Sequence, residues 1–261
     1  MSAGLAGPLV TVTFGDLDDG VWGAVWGAAP PAVVIGLARG GIEGFAGVTV
    51  IGASATEEWR ISADGLELAI APAGTAAALA SDGLPAGFDQ LCRATGRCLL
   101  GGAERAVDCL GRRSWSERAP DFRRFESLRD VCAWFEAGDG VALHSLRRRK
   151  ARGHADDLVT AVAFEAGGPI AVADPRLSTT YTAAGLPSRM NLELWIDQEE
   201  SSAGAEGGAE GRAQYPRRVA GEALGDQWVW SSGETEVQVV PLRCHSRGRE
   251  GSGMYLLAKA K

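Results

Sequence analysis

The chain has 261 residues, of which 46% are hydrophobic, and it carries a formal net charge of −7. That length allows either one large β-domain or two small ones. The acidic balance argues against a general nucleic-acid-binding protein, because neutralising phosphates requires a basic surface. The one strongly basic run, 147–152, has no interleaved aromatic residues on which bases could stack, so we interpret it as a solvated strand end and loop.

The cysteines and histidines do not form a recognisable metal site. The five cysteines contain no CxxC pair, and none of the three histidines is spaced with a cysteine as a structural zinc site requires. Reduced, buried thiols in a cytoplasmic protein are the simplest interpretation. The N-terminus lacks the basic and apolar regions of a signal peptide, and no apolar stretch is long enough for a transmembrane helix. We therefore expect a cytoplasmic protein with no metal, no cofactor and no transmembrane segment.

Alternation of apolar and polar residues with a period of two runs through the first half of the chain and indicates β-strands. The predicted strands there are 9–14, 21–26, 32–38, 57–61, 66–70, 91–100 and 104–112. The pair Asp64-Gly65 predicts a tight hairpin, because this pair supplies the positive φ angles that such a turn requires. Segment 72–85 is rich in Ala and Pro and has no clear period, so we interpret it as a loop with room for one helical turn.

The second half of the chain repeats this pattern. The predicted strands are 125–136, 141–149, 158–164, 178–181, 190–196, 219–224, 227–231, 235–242 and 254–258. Between them, the acidic, low-complexity segment 199–212 cannot bury enough apolar surface to order itself and should be a flexible loop. No amphipathic pattern is longer than about three helical turns.

The number and spacing of these strands predict an all-β protein. Roughly 16 short strands are typical of barrels or sandwiches, since an open antiparallel sheet of that size would leave long unprotected edges. The hairpins restart after residue 120, which favours two antiparallel β-barrels or curved sheets in tandem, with a boundary between 111 and 125. A single large sandwich is the alternative.

A family resemblance is centred on this boundary, at Gly111-Arg112-Arg113-Ser114-Trp115-Ser116. The segment resembles the mid-chain motif Gly-x-Arg-(x)-His-Ser-Trp-Gly, which closes the first barrel in the tandem-lipocalin family related to carotenoid 1,2-hydratase and the AttH-like proteins. Residues 130–143 resemble that family's next hairpin, and 248–255 resemble its glycine-rich last strand. Gly20-Val21-Trp22 also matches the short Gly-x-Trp of lipocalin first strands.

This resemblance implies two lipocalin-like β-barrels, spanning 1–118 and 119–261, that hold a hydrophobic small molecule. It also implies hydration, terpenoid cyclisation or a pericyclic reaction of a polyene. The chain departs from the family pattern at one point: Arg112 and Arg113 stand where the family has Asp-His before Ser-Trp. This departure weighs against acid-dependent activity. It leaves an enzyme of this kind, a non-catalytic lipocalin-like protein that binds a hydrophobic ligand, and a degenerate structural paralogue as alternatives.

The candidate proton donors are two acids on strand faces that carry aromatic rings. Hydrating or cyclising an alkene needs a strong acid in an apolar site, and desolvation can turn a carboxyl group into one by raising its pKa. Strand parity places Asp130 beside Trp134 and Glu193 beside Trp195. For each acid the alternative is an exposed position or a salt bridge. His144, in an apolar strand, is either a hydrogen-bonded core residue or a proton shuttle.

The candidate ligand-binding residues are mainly aromatic. Trp rings beside small residues predict a largely apolar cavity. Arg112 and Arg113 have opposite parity, and we expect Arg113 to pair with Asp130 or Glu193 as a plug between the barrels. Trp115 is either a core residue that closes the barrel or a ligand contact. The full candidate set is Trp22, Trp26, Arg113, Trp115, Trp134, Tyr181 and Trp195.

Overall fold

The computed structural model describes residues 7–261 except 19, 29–30, 38–39, 53, 80–84, 154–155, 197–215, 226 and 233–234. The predicted loop 199–212 therefore lies outside the described residues. The described residues form twenty β-strands and no α-helix, which confirms the all-β class. None of their elements is a helix that could cross a membrane.

The first sheet is built from ten antiparallel strands. Their bounds are β1 (Leu9–Gly15), β2 (Val21–Gly27), β3 (Ala32–Leu37), β4 (Ile42–Phe45), β5 (Thr49–Ile51), β6 (Trp59–Ala63), β7 (Leu66–Pro72), β8 (Ala77–Leu79), β9 (Gly87–Leu100) and β10 (Ala103–Ser116). They are hydrogen-bonded in the order β4-β3-β2-β1-β10-β9-β7-β6-β5, and β8 pairs with β9.

The second sheet repeats this topology. Its strands are β11 (Phe125–Glu136), β12 (Asp139–Arg148), β13 (Leu158–Glu165), β14 (Gly168–Ala171), β15 (Asp174–Tyr181), β16 (Pro187–Trp195), β17 (Arg217–Ala223), β18 (Trp228–Ser232), β19 (Thr235–Ser246) and β20 (Arg249–Ala260). Their order is β14-β13-β12-β11-β20-β19-β17-β16-β15, with β18 on β19, which is the first order with ten added to each number. The two curled sheets in tandem confirm the predicted fold class.

The strands that the sequence pattern missed are short. They are β4, β5, β8 and β14, each of three or four residues. Segment 72–85, predicted to be a loop, contains β8, which pairs with the start of β9. Strand β9 itself begins at Gly87 and not at the predicted residue 91. Three or four residues are too few for a period of two to be recognised.

The apolar core consists of three clusters, one inside each sheet and one between the two sheets. One lies inside the first curled sheet and includes Val12, Phe14, Trp59 and Ile61. A second lies inside the second sheet and includes Val131, Leu143, Leu192 and Tyr255. The third, which we call the interface cluster, contains residues of both sheets, among them Trp22, Trp26, Leu91, Trp134, Trp228 and Leu256. Since successive side chains of a strand point to opposite faces, each central strand contributes to one interior and to the interface.

Candidate functional site

A buried ionic cluster joins the two sheets within their shared interface. Its members are Asp89 on β9 and Arg112 on β10 of the first sheet, with Asp130 on β11 and His144 on β12 of the second. Their exposed fractions lie between 0% and 6%. We call these four residues the ionic cluster. Burying charged groups is costly unless they are paired and hydrogen-bonded, so the contacts among them decide what the cluster can do.

Arg112 bridges the two carboxylates. Its Nη1 donates to both oxygens of Asp130, at 2.7 and 2.8 Å. Its Nε donates to Oδ1 of Asp89 at 2.7 Å, and its Nη2 contacts the same oxygen. Each of these hydrogen bonds joins a cation to an anion and is therefore stronger than a neutral one, but neither carboxylate is bound by two parallel N–H···O bonds. Arg112 therefore links the first sheet to the second through charged hydrogen bonds.

His144 completes the cluster from the second sheet. Its Nε2 lies 2.8 Å from Oδ2 of Asp89 and 2.7 Å from Nη2 of Arg112. A ring nitrogen can donate a hydrogen bond to the carboxylate or accept one from the guanidinium, but it cannot do both at once. Burial by itself would lower the pKa of His144, but the charges of Asp89 and Asp130 outweigh it and raise that pKa. These charges favour a hydrogen on Nε2 that is donated to Asp89.

The same electrostatics keep Asp89 ionised. Burial by itself would raise the pKa of this carboxyl group, but the positive charges of Arg112 and His144 outweigh burial and hold its pKa well below the usual range. Beside the cluster, burial raises the pKa of Cys132 to about 12, so this side chain is a neutral thiol at physiological pH. The Sγ of Cys132 lies 3.2 Å from the hydroxyl oxygen of Thr13 on the first sheet.

The neighbouring Arg113 points the other way, into the first sheet's interior. Its Nε and Nη2 donate to Oε1 of Gln90 at 2.9 and 2.7 Å. The guanidinium also donates to three backbone carbonyls and lies 4.8 Å from the ring centre of Trp59. The expectation that Arg113 pairs with Asp130 or Glu193 between the barrels is therefore wrong. Adjacent strand residues face opposite sides, and Arg112 is the one that faces the second sheet.

Glu193 lies outside this cluster. Its strand β16 sends the alternate residues Leu192 and Leu194 into the second sheet's interior, so Glu193 faces outward. Its Oε1 accepts from Nε of Arg218 at 3.0 Å, and 37% of its side chain is exposed. Of the three predicted catalytic residues, the structure therefore brings Asp130 and His144 together and leaves Glu193 apart.

The predicted ligand-binding rings fall in three places. Trp22, Trp26 and Trp134 lie in the interface cluster, where the rings of Trp22 and Trp134 are 6.4 Å apart. Trp115 packs against Phe88 at the edge of the first sheet's interior. Two further candidates lie on the second sheet away from the interface: Tyr181, which is 41% exposed, and Trp195, which lies under the guanidinium of Arg176.

A cleft of about 440 Å³ opens at one end of the interface. Trp134 and Phe135 form part of its wall, together with charged residues that include Asp16, Arg243 and Glu250. Trp134 also donates from Nε1 to the carbonyl oxygen of Gly15, at 3.1 Å. The cleft therefore offers an approach to the interface from solvent.

Sequence reasoning missed Asp89. The predicted strand began at residue 91, so Asp89 fell outside the predicted strands, whereas β9 begins at Gly87. The available signal was parity: Asp89 lies two positions before Leu91 on the strand, and both side chains face the interface.

No group of three or more His, Cys, Asp or Glu side chains is arranged to hold a metal ion in the described parts of the chain.

Comparison with known proteins identifies the fold. No protein-family model matches the chain, and no curated protein matches it. Among solved structures, it is similar to a Nitrosomonas europaea protein provisionally named AttH, with a TM-score of 0.63, 10% identity, and 98% and 92% of the two chains covered. It is also similar to kievitone hydratase from Nectria haematococca, with a TM-score of 0.61, 7% identity, and 97% and 88% of the two chains covered. Its similarity to CghA has a TM-score of 0.62 and 13% identity, with 98% and 89% of the two chains covered. The chain therefore has the AttH-like tandem-lipocalin fold, as the mid-chain motif predicted.

Proposed function

We propose that this chain binds a hydrophobic polyene or terpenoid-like molecule between its two sheets and hydrates or cyclises it, with His144 as the proton donor. The observation that carries the proposal is the position of the ionic cluster: a protonatable imidazole held between carboxylates, surrounded by the apolar interface cluster. The fold it shares with a protein named as a hydratase supports this choice of reaction.

The reaction would begin with transfer of the imidazolium proton of His144 to an alkene carbon. The C=C π-electrons form the new C–H bond, and the neighbouring carbon becomes a cation. The faces of Trp22 and Trp134 could stabilise that positive charge. In hydration, water adds to the cation and loses a proton. In cyclisation, a second C=C attacks the cation and a proton is lost from carbon. Either way, the released proton restores the charge of His144.

The contacts of Asp130 favour His144 over this carboxyl group as the donor. Both oxygens of Asp130 accept from Arg112, so protonating the carboxyl group would weaken a buried ion pair. We assign Asp130 and Asp89 the role of holding the proton on His144. A raised pKa also makes the imidazolium a weaker acid, so the substrate should be a conjugated alkene that is easily protonated and not an isolated one.

A second candidate is non-catalytic binding of the same class of ligand. The charge balance of the ionic cluster favours it, since two carboxylates face one guanidinium and one imidazole and each has a partner. A cluster satisfied in this way could serve only to join the sheets. The two candidates predict the same ligand and differ in whether a proton reaches its carbon.

The experiment identifies the ligand first and then follows the proton. Solvent extraction and native mass spectrometry of the purified protein should reveal a co-purifying hydrophobic molecule. Incubating that molecule with the protein in D₂O should place deuterium on carbon. His144→Gln should reduce the rate of deuterium incorporation by roughly 100-fold or more, the usual contribution of general acid catalysis. The matched control is His245→Gln at an exposed position, which should keep the wild-type rate.

The outcomes separate the candidates. Binding without deuterium incorporation by the wild-type protein would support the non-catalytic role. Deuterium incorporation that is unchanged in His144→Gln would overturn the assignment of the donor. Failure of hydrophobic molecules both to co-purify and to bind when added would overturn both candidates.

A further inference from the structure

Two buried indole N–H groups in the interface cluster have no hydrogen-bond acceptor within the described part of the chain. They belong to Trp22 and Trp26, both of which are 0% exposed. A buried donor without an acceptor is destabilising, because it loses its hydrogen bond to water and gains none in return. Two other buried indoles do have acceptors: Trp59 donates to the carbonyl oxygen of Ser54 at 2.9 Å, and Trp134 to that of Gly15 at 3.1 Å. The indole N–H groups of the less buried Trp195 and Trp230 also lack an acceptor among the described residues.

The two unsatisfied indoles lie on one face of β2, on either side of Ala24. The two tryptophans are four positions apart, about 13 Å at the usual rise, and all three side chains belong to the interface cluster. Ala24 is small, and all three side chains are fully buried in the interface. Two separated donors on one strand face suit a ligand with an oxygen near one end, or with an oxygen at each end.

Polar groups continue across the same face toward the ionic cluster. In the strand register, Ala24 is aligned with Thr13, which is aligned with Arg112. The next row aligns Trp26 with Thr11, and Thr11 with Ser114. These two threonines and Ser114 are between 1% and 6% exposed. A stripe of buried hydroxyls therefore leads from the indoles to the ionic cluster, across an interface that is otherwise mainly apolar.

We propose that the ligand of this interface carries an oxygen acceptor, such as a carbonyl or an ether, that receives a hydrogen bond from Trp22 or Trp26. The ligand class is thus an oxygenated polyene or terpenoid and not a pure hydrocarbon. This inference rests on the proposed binding between the sheets. The two indoles then act as specificity-determining residues, because a hydrocarbon would leave their N–H groups unsatisfied when it binds.

The test compares two probes that differ in one acceptor atom: farnesylacetone, a polyene ketone, and its analogue with a methylene group in place of the carbonyl oxygen. Equilibrium dialysis against the full chain gives a Kd for each. The wild-type protein should bind the ketone about 3- to 10-fold more tightly, the worth of one net hydrogen bond. Trp22→Phe, Trp26→Phe or the double variant should bring this ratio close to one, chiefly by weakening ketone binding.

Trp59→Phe is the matched control, since it also replaces a fully buried indole but lies inside the first sheet. It should leave the ratio of the two Kd values unchanged. Equal binding of both probes by the wild-type protein would overturn the inference and leave the proposed function standing; this is the result expected if ordered water satisfies the indoles. A preference for the ketone that persists in both single variants and in the double variant would also overturn it. If neither probe binds, the proposed function fails together with the inference.

Discussion

Replacing Arg112 with methionine should lower the free energy of unfolding by about 3–5 kcal/mol, the usual cost of removing one partner from a buried ion pair. Arg112 is 0% exposed and donates to Asp89 and to both oxygens of Asp130. Methionine retains an apolar side chain of similar reach, so the main loss is the charge. Two buried carboxylates would then share the single positive charge of His144.

An exposed ion pair in the same two strands shows why burial decides this magnitude. Arg93 on β9 donates from Nε to Oδ1 of Asp108 on β10 at 2.6 Å, which is as short as the contacts of Arg112. Its side chain is 54% exposed and that of Asp108 is 58% exposed. Water screens such a pair, so Arg93→Met should cost far less stability than Arg112→Met.

Urea unfolding at pH 7, followed by tryptophan fluorescence and by far-ultraviolet circular dichroism, measures both costs. Adding Asp130→Asn to Arg112→Met should recover part of the loss, because it removes one of the two uncompensated carboxylates. If Arg112→Met costs no more than Arg93→Met, the ionic cluster does not stabilise the contact between the sheets and the reasoning fails.

Three further predictions concern protonation, reactivity and packing. Because folding raises the pKa of His144, its protonation stabilises the fold fully below its ordinary pKa of 6.5, and this stabilisation is lost as the pH rises through the pKa in the folded state. His144→Gln should therefore flatten the pH dependence of the free energy of unfolding above about pH 6.5. All five cysteines are buried, and the pKa of Cys132 is raised to about 12, so a thiol reagent should label the native protein slowly and the urea-unfolded protein at once. A Cβ at Gly15 would lie 2.2 Å from the Trp22 ring, so Gly15→Ala should lower Tm with a cost of about 1–3 kcal/mol, whereas Gly44→Ala, with open space around it, should change Tm little.

Local pattern predicted much of the second sheet's contribution to the site. A period of two predicted β11 and β12, and parity placed Asp130 on the face of Trp134 and separated Arg112 from Arg113. It could not say which arginine faces the other sheet, since that choice depends on how the two sheets pack. It also missed Asp89, because the start of β9 pairs with the short strand β8, which carries no recognisable period.

The mid-chain motif led to the right fold and to an incomplete view of the buried charged groups. Arg112 and Arg113 replace the acid and the imidazole expected before Ser-Trp, which argued against acid-dependent activity. The structure supplies both groups from other strands: Asp89 from β9 and His144 from β12 meet at Arg112. A motif read along one strand cannot show this, because residues far apart in sequence are brought together only by the packing of the sheets.

The energetics of burial allow the structural and chemical roles of the ionic cluster to be separated. Replacing a complete buried ion cluster with apolar residues of similar volume is often neutral or stabilising, since the cost of desolvation disappears together with the attraction. A variant that combines Asp89→Leu, Arg112→Met, Asp130→Leu and His144→Leu should therefore unfold within about 2 kcal/mol of wild type, in contrast to Arg112→Met by itself. If the cluster only joined the sheets, this variant would behave like wild type in every assay. If His144 donates the proton, the variant should remain folded and bind the polyene, but no longer incorporate deuterium from D₂O. Deuterium incorporation at the wild-type rate by the folded variant would refute the assigned chemistry.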